Sequence, residues 1–212
     1  MSTRRERRAQ RRKQRTLDGR RTRSVPWFTA LVVAVVLVGG FFALRAFGAF
    51  EGQPSGPAID TKPFPVGAPV GEKQEDMGRR DHIPDGQRFV GYNTTPPTSG
   101  PHWGTPAPWL VYDSPQPDER LVHNLEHGGI IISYNAIADG DLAQLKSLRA
   151  RYPNDRFGRK KIIIRPYDRI PAGAIALSAW AWLDRLDRYD EQRILQFIAA
   201  HMNQCCEGEN AP

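Results

Sequence analysis

Five histidines stand in the chain, and His102, His123 and His127 fall within residues 92–134, with His82 ten residues upstream of that stretch. Imidazole binds transition metals and moves protons near neutral pH. No other part of the sequence gathers groups of this kind. His123 and His127 are four residues apart, in the string His123-Asn124-Leu125-Glu126-His127. On a helix this spacing brings two rings to one ion. On a strand the same residues share a face but sit roughly 13 Å apart, too far for one ion. The metal reading therefore requires a helical turn, with His82, His102, His123, His127 and Glu126 as candidate donors.

Local signals support that turn. Asp118 reads as an N-cap and Gly128 as the glycine after the C-cap, bracketing about nine residues. Leu121 and Leu125 then share one side and face a core, with His123 and His127 on the opposite side. The string also fits the H-x-x-E-H pattern of inverted zinc peptidases, in which two histidines hold zinc and the glutamate activates water. Here Gly128-Gly129 ends the helix at once, and no downstream acid is placed as third ligand. A helix-end histidine with no metal is the plain alternative, since His127 gains from the helix dipole.

His102 lies in Thr94–Trp109, a run with prolines at 96, 97, 101, 106 and 108. That run can be neither helix nor central strand. Trp103 and Trp109 argue that it is ordered, because two indoles pin a loop to a core. His82 precedes the turn signal Ile83-Pro84-Asp85-Gly86, and Gln87–Tyr92 reads as a strand. Met77 becomes a soft ligand if the metal is copper.

The strings Pro96-Pro97-Thr98-Ser99-Gly100-Pro101-His102 and Leu121-Val122-His123-Asn124-Leu125-Glu126-His127-Gly128-Gly129, with Val111-Tyr112 between them, carry a resemblance. The chain resembles the domain-of-unknown-function 3105 family over about residues 75–202. The resemblance implies a basic N-terminus, one membrane span and one exported domain, and it supplies no activity. It marks the same four histidines, 82, 102, 123 and 127. Asn124 stands where a small polar residue such as serine is usual in that family, which should not disturb a site.

The elements that must position these residues follow. Residues 1–24 hold eleven Arg/Lys against Glu6 and Asp18, a net of +9, which leaves −2 for the rest of a chain of net +7. The basic excess is thus a tail and not a nucleic-acid-binding face. From Val25 to Leu44 twenty residues carry no charge. As a helix they span about 30 Å, a bilayer core. We expect a membrane helix over 25–47, with the tail cytoplasmic by the positive-inside rule and the C-terminal domain outside, at the plasma membrane. Residues 48–74 read as a Pro/Gly-rich linker; positions 48–71 alone hold five of each. The globular domain is expected over 75–204, with a tail at 205–212.

Within it, Ile130–Tyr134 reads as a buried strand, Asp139 as the cap of a helix to about Tyr152, and Lys161–Tyr167 as a second strand. Ala174–Leu183 reads as one strand turning at 184–190. Asp190 then caps a final helix carrying Ile194, Phe197, Ile198 and His201. The fold class expected is α+β, one small sheet with two or three helices packed on it. A thioredoxin-like sandwich is among its layouts, though no CxxC motif supports that chemistry. Cys205 and Cys206 are adjacent, a spacing at which cysteines rarely bridge each other. They read as inert or as soft-metal ligands.

Three functions fit this reading. One is an extracytoplasmic domain that binds zinc or copper. The second is a structural or interaction module of the cell envelope, with an envelope protein as partner and no metal. The third is a metal-dependent hydrolase using the HNLEH string. The residues alone define no reaction.

Overall fold

Residues 57, 59 and 70–206 are described by the computed structural model of the chain. The expected tail (1–24) and membrane helix (25–47) lie outside the described residues. Among the described residues no helix is long and apolar enough to cross a membrane.

The apolar, β-branched run Ile130-Ile131-Ile132-Ser133-Tyr134 suits a strand buried on both faces, and it forms β4 (Ile130–Tyr134), near the centre of the sheet. The remaining elements are β1 (Glu72–Lys73), β2 (His82–Ile83), β3 (His102–Trp103), α1 (Asp118–Glu126), α2 (Asp139–Arg151), β5 (Ile162–Pro166), β6 (Ile175–Ala179), β7 (Trp182–Leu186) and α3 (Glu191–His201). Five strands pair in the order β1-β7-β6-β4-β5. β4 and β5 are parallel, joined through α2; the other pairs are antiparallel. The class is α+β, a five-stranded sheet with three helices.

The sheet has two covered faces. Ile130 and Ile132 of β4 pack with Leu145 and Leu148 of α2 and with Ile194, Phe197 and Ile198 of α3. Ile131 and Ile163 on the other face meet Leu121, Val122 and Leu125 of α1. Period-2 alternation along each strand produces this division. It seats α1 alone on one face, with its polar side turned away from the sheet.

Several expectations need correction. Ala174–Leu183 is not one strand: the chain reverses at Trp180-Ala181, and β6 and β7 form a hairpin. Ala181 takes φ 58° there, a turn that no glycine announces. Gln87–Tyr92 is not a strand; Phe89 N–H bonds the Glu119 carboxylate instead of a ladder partner. Asp118 and Asp139 do not cap their helices but lie in the first turns, after Pro117 and Ala138. Asp190 does cap α3, accepting from Arg193 N–H at 3.0 Å. Glu72 and Lys73, at the end of the expected linker, form the edge strand β1 on β7. Cys205 and Cys206 bond each other, contrary to expectation, where the chain turns beyond α3 with Cys206 at φ 62°.

A candidate metal centre on helix α1

Helix α1 must present His123 and His127 together, and it does: their Nε2 atoms stand 3.0 Å apart. The apolar residues of α1 hold it on the sheet. Gly128, at φ 77°, ends it in a conformation that suits glycine. Gly129 next lies flat beneath the Trp109 indole, where a Cβ would collide with the ring. Lys161, 1 % exposed, donates from Nζ to the His127 carbonyl at 2.8 Å and so satisfies one carbonyl at the helix end.

The proline-rich loop is ordered by side chains rather than by periodicity. Asn124 of α1 bonds both sides of Ala107, accepting from its N–H and donating to its carbonyl, each at 2.8 Å. His102 and Trp103, beyond Gly100-Pro101, then form β3, which pairs in parallel with β2. The register sets His82 directly opposite His102. Two residues far apart in sequence thus arrive side by side above α1.

Three rings result in a near-equilateral triangle. The ring centroids of His82, His102 and His123 are 5.0 Å apart in each pair. Each offers a ring nitrogen, and these nitrogens lie within 4.8 Å of one another. A tetrahedral ion with metal–nitrogen distances of about 2.0–2.1 Å needs nitrogens roughly 3.4 Å apart, so the rings close by about an ångström to bind one. His102 and His123 are buried and His82 is exposed, which gives the triangle one open side.

Hydrogen bonds fix how two of the rings are used. His102 Nδ1–H donates to the Gly100 carbonyl at 2.8 Å, and His123 Nδ1–H to the Trp103 carbonyl at 2.6 Å. Metal-binding histidines are commonly locked in this way, one nitrogen to a carbonyl and the other toward the ion. His102 Nε2 faces Glu126 Oε2 at 3.0 Å. A neutral imidazole has one N–H, already given to Gly100. Its second nitrogen therefore faces a carboxylate needing either a second proton or a metal cation. His123, with its proton on Nδ1, accepts at Nε2 from His127, and a metal ion on His123 would take the place of that bond. Burial pushes the His123 pKa below its ordinary value, with the Trp103 bond opposing and the three neighbouring imidazoles adding to the effect.

All five candidate residues thus converge around one end of α1. His82, His102 and His123 form the triangle; His127 touches it through His123, and Glu126 through His102. Met77 lies behind the site, its sulfur against Gly100, where a Cβ would come within 2.7 Å. His201 is elsewhere, stacked on Trp182 with ring centroids 4.4 Å apart. Sequence reasoning missed the outer groups. Arg80 reaches Glu126 Oε1 at 4.0 Å and lies over the Trp180 ring, whose edge meets His102. It also missed the buried network in which Asp118 binds Arg165, Tyr167 and Arg169. The signal available for that network was Arg165 itself, a charge following three isoleucines.

Fold and site together define an α+β domain with a surface-open cluster of three histidines, two from a short β-ribbon and one from a short helix. The family model described as "Protein of unknown function (DUF3105)" matches residues 82–211, and the chain belongs to that family. The match begins at His82 and contains all four clustered histidines. No curated protein matches the chain. No solved structure matches it either.

Proposed function

We propose that this domain binds one transition-metal ion, zinc or copper, through His82, His102 and His123. Glu126 and His127 complete or orient the site. The observation that carries this reading is the setting of His102: two acceptors on its two ring nitrogens, inside a triangle of imidazoles. A cation there satisfies the Glu126 carboxylate and uses the lone pair that the Gly100 bond leaves on Nε2. Imidazole suits zinc and copper alike, and Met77 is near enough to the histidine loop to favour copper if the loop shifts. The scaffold under the site is a βαβ unit followed by a ββα unit on one sheet, which supports a thioredoxin-like sandwich without its cysteine motif.

We place the domain outside the cytoplasm, as the exported part of a single-pass plasma-membrane protein. The uncharged run Val25–Leu44 and the +9 charge before it support this. Elemental analysis of the full chain purified in detergent tests the metal reading. Wild type should carry, or take up on titration, a stoichiometric equivalent of zinc or copper. His102→Ala and His123→Ala should lose it, and His201→Gln should keep it. A wild-type protein that neither carries nor takes up either metal ends the reading and leaves the envelope-module alternative.

A further inference from the structure

The first turn of α1, one helical turn before the histidines, borders a second feature. A cleft of about 240 Å³ lies between the 88–97 segment and this turn, with Arg88, Tyr92, Asp118, Glu119 and Arg169 on its walls. Glu119 is 3 % exposed. Its Oε1 accepts from Phe89 N–H at 2.8 Å. Its Oε2 is buried with no hydrogen-bond partner, and Arg88 Nη1 stands 3.7 Å away, beyond hydrogen-bond reach. Buried carboxylate oxygens are costly unless something donates to them. Asp118 beside it is already saturated by Arg165, Tyr167 and Arg169.

The opposite charge is also present. Arg88 and Arg169 both line the cleft, and their side chains are 71 % and 54 % exposed. Burial, and then the like charge of Arg88, holds Arg169 below the ordinary arginine pKa. Two guanidiniums lining one cleft suit a carboxylate, and a buried carboxylate oxygen that is ion-paired but accepts no hydrogen bond suits an N–H donor. Arg88 stands close enough to Glu119 that a ligand must carry its anion and its donor on neighbouring atoms. Its volume admits only a small molecule.

We propose that this cleft binds a small zwitterion of the α-amino-acid type, its ammonium on Glu119 Oε2 and its carboxylate between Arg88 and Arg169. Oε2 is buried, so the side chains over it part as the ammonium enters, and the exposed Arg88 then meets the carboxylate. The site is separate from the histidine triangle and does not rest on the metal reading.

Calorimetric titration of the full chain in detergent micelles with glycine tests this, with acetate and methylammonium as the half-ligands. Glycine should bind saturably, and each half-ligand at least about tenfold more weakly. Glu119→Gln, which keeps the Phe89 bond, should weaken glycine by about tenfold or more, and Arg88→Gln likewise. Melting curves of both variants show whether they fold, and Arg88→Gln leaves the buried network intact. Absence of saturable glycine binding, glycine binding no tighter than acetate, or indifference to both substitutions overturns the proposal.

Discussion

His201 and His102 are both buried, yet their partners differ in kind. His201 donates from Nε2 to the Val70 carbonyl at 2.8 Å, and its ring packs on Trp182 and Phe197. One acceptor and two apolar neighbours suit a neutral ring with a structural role, as its place at the end of an apolar helix face suggests from sequence. Burial lowers its pKa from 6.5, with the Val70 bond and Asp184 opposing. The unfolded chain then takes up a proton near pH 6.5 while the native ring stays neutral. Its contribution to stability is complete above that pH and is lost as pH falls from about 6.5 through the lowered native value. Urea unfolding from pH 8 to pH 5, with chelator present, should show stability falling on acidification. His123, also lowered, adds to the same slope. His201→Gln should flatten part of it, and an unchanged slope would mean that His201 titrates alike in both states.

Between elements, what could be read from sequence depended on how much of each signal was local. β4 and α3 were legible because Ile130–Ile132 and the Ile194, Phe197, Ile198, His201 spacing report burial directly. The i,i+4 histidine pair was legible for the same reason, once Leu121 and Leu125 fixed which side of α1 faced inward. The β2–β3 ribbon was not, since strands of two residues have no period and their pairing is decided by what lies beneath them. Asn124 ties the loop that carries β3 to α1. It reads from sequence as a harmless replacement, but it is 0 % exposed and ties Ala107 to α1. Asn124→Ala would leave the Ala107 N–H and carbonyl buried without partners, at about 1–3 kcal/mol each. We expect a loss of at least about 2 kcal/mol in urea unfolding and metal affinity reduced about tenfold, because the loop carries His102 and the Trp103 carbonyl that holds His123. Unchanged stability would mean that the loop is fixed by Trp103 and Trp109 alone.

At the scale of the whole molecule, the charge of the chain divides at the apolar run. Eleven basic residues precede Val25, and a net of −2 follows. A basic flank retained on the cytoplasmic side of the span is the arrangement that the positive-inside rule favours. The open side of the histidine triangle, at His82, would then meet the extracytoplasmic solvent, and its metal would be drawn from there. Sealed inverted membrane vesicles, cytoplasmic face outward, make the orientation measurable. Trypsin added outside should remove the Arg-rich residues 1–24 and leave the domain uncut, as read by antibodies to each end. Detergent should then expose the domain's surface arginines, Arg79, Arg80 and Arg88 among them, to cleavage. Digestion of the domain in intact inverted vesicles would put the histidine site in the cytoplasm. The domain could still bind a metal there, but from the cytosolic pool, and the part assigned to the membrane segment would have to be given up.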